Sequence, residues 1–152
     1  MSYSVAETAV VYPGTVIGDG CQILDYAVVG KQPTLSPRST TKREPLPPLE
    51  LGAGTIVSTG AVVFAGTKLG ERVIVGDQAC VRERVEIGDD VVVGRGSLVE
   101  NDTTIGALTK IQAHASVGSS SSRCRITERS WTPSDQSAFS SLRIWPRFWR
   151  FP

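Results

Sequence analysis

From Leu51 to Val117 every sixth residue is aliphatic, without a miss: Leu51, Val57, Val63, Leu69, Val75, Val81, Ile87, Val93, Val99, Ile105, Ile111 and Val117. Two residues before each slot from Val57 onward stands a small or β-branched side chain, such as Thr55, Ala61, Val73, Ala79 or Ser97. The residue after it is often glycine, as at Gly52, Gly70, Gly76, Gly88, Gly94 and Gly106. A period of six suits neither a helix of 3.6 residues per turn nor one long alternating strand. It suits short strands joined by tight turns, each repeat laying one flat side of a stacked coil.

Three repeats close a triangular coil of eighteen residues, and successive coils should stack at the ~4.8 Å spacing of hydrogen-bonded strands. The aliphatics then form inward columns. Leu51, Leu69, Ile87 and Ile105 make one, each followed by glycine, a residue suited to a tight turn with φ > 0. Val57, Val75, Val93 and Ile111 make a second. The third, Val63, Val81, Val99 and Val117, is followed by Phe64, Arg82, Glu100 and Gly118, so that corner projects large side chains and is the promising one for contacts. An earlier stretch keeps the beat through Val11, Ile17, Ile23 and Val29. The two stretches together predict about five coils.

Between Val29 and Leu51 the spacing is no multiple of six. The segment 31–50 carries Pro33, Pro37, Pro45, Pro47 and Pro48, which remove ladder donors and fix φ, so it reads as an inserted loop. Residues 1–118 are therefore expected to form one β-helix domain with that insertion. Cys21 falls in a small-residue slot and is expected to be a buried packing thiol. Three cysteines, scattered as Cys21, Cys80 and Cys124, make neither a disulfide framework nor a zinc knuckle.

After Gly118 the period stops, with Arg123 and Arg129 in the next two slots. Residues 119–152 contain all three tryptophans, three of the four phenylalanines, six arginines and no lysine, valine or glycine. Two readings of this Ser/Arg/Trp-rich tail stand: a cap or membrane-surface segment over the open end of the stack, or a disordered product of a shifted reading frame. The body, with ten Lys/Arg against thirteen Asp/Glu, has no charge excess suited to nucleic acid. No run approaches the ~18 apolar residues of a membrane span, and Met1–Ala6 lacks the features of a secretory signal. A cytoplasmic protein with no membrane or nucleic-acid partner is expected.

The repeated motif over roughly residues 8–118 resembles the hexapeptide-repeat acyltransferases. Stretches such as VVGKQP at 28–33, VRERVEIGDDVVVGRGSLVENDTTIG at 81–106 and TKIQAHA at 109–115 are similar to the bacterial sugar-nucleotide N-acetyltransferases. The resemblance implies an all-β, left-handed parallel β-helix, generally assembled as a homotrimer. It further implies transfer of acetyl from acetyl-CoA to an amino or hydroxyl group of a sugar or sugar nucleotide, with no metal. Relatives usually continue for further coils that wall the acyl-CoA groove. The tail in their place implies impaired activity, and the alternative is a non-catalytic β-helix remnant or trimeric scaffold.

Such a transfer starts from an activated thioester and needs positioning plus removal of one proton from the acceptor. Histidine often supplies that base, and His114 is the chain's one histidine. It is the candidate catalytic residue, between the small Ala113 and Ala115; the alternative is a solvated side chain. Glu100, Asn101, Lys110 and Gln112 are candidate sugar- or pantetheine-binding residues. Arg82, with Arg84, is a candidate for phosphate, unless the two join a surface ladder with Glu86 and Glu100. A three-histidine zinc centre is ruled out by the histidine count.

Overall fold

The computed structural model describes residues 2–118 and the backbone of residues 125–126. Each aliphatic slot is the second residue of a strand, usually two residues long, and successive strands turn onto three different sheets. Sheet 1 stacks Ser4–Val5, Gln22–Ile23, Ile56–Val57, Ile74–Val75, Val92–Val93 and Lys110–Ile111. Sheet 2 stacks Val10–Val11, Val28–Lys31, Val62–Phe64, Cys80–Val81, Leu98–Val99 and Ser116–Val117. Sheet 3 stacks Val16–Ile17, Glu50–Leu51, Lys68–Leu69, Glu86–Ile87, Thr104–Ile105 and Arg125–Ile126. All pairings are parallel, and the expected columns are in register: Val75 lies between Val57 and Val93, and Val81 between Val63 and Val99.

The described residues form six layers rather than about five. The difference arises at both ends. Val5 is an additional first slot, and Arg125–Ile126 pairs with Thr104–Ile105 three residues later than a strict beat would place it. Apart from that backbone pair, the expectations for the tail lie outside the described residues. The insertion is also one residue shorter at each end, because Lys31 and Glu50 belong to strands, which leaves residues 32–49 as the loop.

The core is a file of aliphatics sealed layer by layer. Ile23, Val57, Val63, Val75, Val81, Val93, Val99 and Ile105 are at most 1 % exposed. The small slots point inward at the corners, which explains their size, and their polar members remain satisfied. Thr55, Thr67 and Ser97 donate to the carbonyls of Gly70, Arg82 and Gln112, fifteen residues on, at 3.1, 2.7 and 2.8 Å. Cys21, buried as expected, donates through Sγ to the Gly52 carbonyl at 3.1 Å. Its partner is thirty-one residues away because the insertion intervenes. Leu49 is the exception among the slots: it fills one at the end of the loop and is fully buried.

Apart from Gly30, at φ 82°, the glycines after the aliphatics are not the positive-φ residues. Those lie two positions further on, at Tyr26, Arg72, Gln78, Arg84, Asp90, Asp102, Leu108 and His114, and at Gly54, Gly60, Gly66 and Gly96. Glycine follows the aliphatic for a different reason. A Cβ at Gly76 would lie 2.7 Å from the Val93 carbonyl oxygen and the Arg95 amide of the next layer. The requirement is close approach of one backbone to the next.

Candidate active site

Arithmetic on the eighteen-residue coil assigns every turn to one of three corners, and the six candidate residues divide between two of them. Gln112 and His114 are on the corner joining sheets 1 and 2, with Lys110 exposed on sheet 1 beside it. Arg82, Glu100 and Asn101 are on the corner joining sheets 2 and 3. Within one chain they do not form a single cluster.

At the 1/2 corner, Gln78, Gly96 and His114 succeed one another at eighteen-residue intervals with φ of 57°, 64° and 58°. The adjoining turn positions Thr59, Asp77 and Arg95 complete a groove that runs along the corner. His114 rests on Gly96: a Cβ there would fall 2.5 Å from the imidazole Nδ1. Glycine at 96 therefore makes the room in which the ring lies. The turn is held by the His114 amide, which donates to the Arg95 carbonyl at 2.9 Å, and the Gly96 amide, which donates to Asp77 at 2.8 Å. The side chain itself is exposed. Thr59, Asp77, Gln78 and Arg95 were not singled out by sequence reasoning. The signal was available, since 77 and 95, like 78 and 96, differ by one coil and share the phase of the turn that holds His114.

The 2/3 corner is an array of ion pairs. Arg82 donates to both oxygens of Glu83, Nη2 to Oε1 at 2.9 Å and Nε to Oε2 at 3.3 Å. Arg84 forks onto Asp102 of the next layer at 2.6 and 3.0 Å, and Asn101 Nδ2 donates to the same carboxylate at 2.6 Å. The expected ladder to Glu86 and Glu100 is not the one formed. Glu86 points out from sheet 3, and Glu100 lies beneath Gly118. Burial pushes the Cys80 thiol up from its ordinary value, despite the opposing charge of Arg82.

The Arg84 hydrogen bonds hold the Asp102 carboxyl below its usual range. The sign of the resulting pH dependence follows. The stability this pair contributes is complete above the ordinary carboxylate value, about pH 4, and is lost as pH falls through Asp102's lowered value. Because both side chains are partly exposed, the amount is at most about 1 kcal/mol. Asp102→Asn is expected to remove that part of the acid sensitivity, so melting curves of wild type and variant taken from pH 6 down to pH 2 should converge at the acid end. Parallel curves would refute the assignment.

Among the described residues, no group of three His, Cys, Asp or Glu side chains is placed to hold a metal ion. No helix among them is long and apolar enough to cross a membrane.

Residues 66–101 match the bacterial transferase hexapeptide (six repeats) model. No curated protein matches the chain. Among solved structures, the acetyltransferase domain of PglB from Neisseria gonorrhoeae FA1090, in complex with acetyl coenzyme A, superposes with a TM-score of 0.67 at 24 % identity. That match covers 83 % of this chain and 51 % of the other. A hexapeptide transferase family protein from Anaplasma phagocytophilum superposes at 0.56 with 20 % identity, covering 84 % of this chain and 75 % of that one. The chain thus spans about half the length of the PglB domain. The fold is the left-handed parallel β-helix that the resemblance implied.

Proposed function

We propose that the chain is the β-helical core of an acetyltransferase that moves acetyl from acetyl-CoA to an amino or hydroxyl group of a sugar or sugar nucleotide. The observation that carries this reading is the placement of His114 in an open groove on a fold similar to that of the PglB acetyltransferase domain, which is in complex with acetyl coenzyme A. The groove suits part of such a donor. The exposed Arg95 guanidinium offers a fork for its phosphate.

In the reaction, the acceptor nitrogen or oxygen attacks the thioester carbonyl, forming the new C–N or C–O bond as the C–S bond breaks. His114 takes the acceptor's proton and returns it to the departing thiolate. Gln112 and Lys110, beside His114, hold the acceptor or the pantetheine arm. Arg82, Glu100 and Asn101 contribute from the other corner.

A homotrimer brings the two corners together. The outer faces of sheets 1 and 2 flank the His114 groove, and their central residues Ile56, Ile74 and Val92, and Val62 and Leu98, are apolar. Such stripes suit burial between copies in a cytoplasmic assembly. Acetyl-CoA at about a hundred times its dissociation constant is expected to stabilise the chain by about 2.7 kcal/mol, read as a rise in melting temperature. Acetylation of an amino sugar should accompany it. A melting temperature indifferent to millimolar acetyl-CoA would favour a non-catalytic scaffold.

A further inference from the structure

The first layer is terminal in all three sheets at once. Ser4–Val5, Val10–Val11 and Val16–Ile17 each pair on one side only among the described residues. Their amides show which side is open. Ser4 and Ala6 donate to Cys21 and Ile23 of the next layer, Val10 and Tyr12 to Ala27 and Val29, and Val16 and Gly18 to Leu49 and Leu51, all at 2.8 or 2.9 Å. Successive residues of a strand turn their backbone groups to opposite sides. The amides between those donors, at Val5, Val11 and Ile17, therefore face away from the stack.

The inward columns end at the same place. Aliphatic slots that are at most 5 % exposed in the four layers above are 38 % exposed at Val5 and 37 % at Val11. Seven of the nine exposed large hydrophobic side chains among the described residues fall between Tyr3 and Tyr26, so the apolar surface is concentrated at this end. Residues 1–30 contain no lysine or arginine, although lysine is a common guard of open strand edges.

Shape selects the occupant. Three short edges set around a triangle cannot all be met by one straight added strand, whereas another coil of the same period meets them together. Turned over by a two-fold axis across the prism, the same end of a second copy presents three such edges, each running antiparallel to its new partner. Six residues at ~3.3 Å each give sides of roughly 20 Å, so with its outward side chains one end covers on the order of 500 Å2. A joined pair then buries about 1,000 Å2, which reaches the area a specific interface needs.

We propose that this end is an interaction surface for a second copy of the chain, the two β-helices joining first layer to first layer. The join gives the outward amides acceptors and covers Val5 and Val11. Glu7 and Asp19 are the charged side chains of the first layer, so the contact is made against like charge rather than by charge attraction.

Sedimentation velocity of the full chain tests it, and neither acetyl-CoA nor turnover enters the measurement. At about 100 µM, above the roughly micromolar dissociation constant that so small an interface supports, the chain is expected to give a particle of twice the mass given by Val11→Pro, whether the unit is one chain or three. Proline at this position keeps the bonds made by Val10 and Tyr12, removes an outward amide and sets its ring in the join. Val5→Lys leaves the backbone donors in place and is expected to halve the mass in the same way. If proline unfolds the first layer, the lysine variant decides alone. Raising salt from about 0.05 to about 0.5 M is expected to increase the doubled fraction by screening Glu7 and Asp19. Equal masses for wild type and the folded variants would overturn the proposal. So would growth beyond doubling, which marks head-to-tail stacking, or loss of the doubled particle at high salt, which marks a charge-driven contact.

Discussion

Replacing Gly94 by alanine is expected to destabilise the chain by about 2–4 kcal/mol, an unusually large effect for one added methyl group. The reason is the spacing of the layers. The Gly94 amide donates to the Ile111 carbonyl at 2.9 Å, which fixes one coil against the next. A Cβ at Gly94 would then lie 2.5 Å from the Ala113 amide nitrogen and from the Gln112 carbonyl carbon. Both are backbone atoms in the ladder, so the layers must separate or the turn must break. Gly60 provides the contrast. Its φ is +68°, the value its column mates Tyr26, Gln78 and His114 already adopt with side chains, and its nearest obstacle is the flexible Gln78 Cγ at 3.5 Å. Gly60→Asn should therefore change stability by no more than about 1 kcal/mol, since asparagine tolerates the left-handed region. Urea unfolding of the two variants checks the pair. Gly94→Ala at or above wild-type stability would show that glycine is not needed for close approach.

The same contrast marks how far the sequence could be read. The strands, their columns and the inserted loop were legible because one constraint, an inward aliphatic every six residues, repeats through every layer. Where two constraints overlap, pattern alone misassigned the cause. Glycine after the aliphatic looked like a turn residue needing φ > 0, yet Gln78, Asp90 and Asp102 take the left-handed turn position and the glycine relieves a contact between layers. Val5 was not counted as a slot because nothing precedes it to establish the beat. The division of the candidate site was readable in principle: residues 82 and 100 share one phase of the coil, and 78, 96 and 114 another. The burial of Glu83 was not readable, because it depends on where a proline-rich loop without periodicity comes to rest.

Turnover by the proposed acetyltransferase is expected to fall by about 10²–10⁴-fold when His114 becomes asparagine, with melting behaviour close to wild type. The choice of variant matters because His114 sits at φ 58°. Alanine there would keep the left-handed strain of about 1–2 kcal/mol that a Cβ brings, without a polar side chain to offset it. Asparagine accepts that conformation and preserves the backbone bond to Arg95, but has no nitrogen lone pair to take a proton. If the imidazole acts only as a surface side chain, His114→Asn leaves the rate unchanged. A second variant separates the base from a merely structural role. His114→Gly also suits the positive φ and empties the space above Gly96, which faces an open groove. Imidazole added in solution can enter that space and accept the proton in place of the side chain. Partial recovery of the His114→Gly rate with added imidazole, without a rise in melting temperature, is the expected result. A rate equally low with and without imidazole, together with a wild-type rate in His114→Asn, would remove His114 from the chemistry.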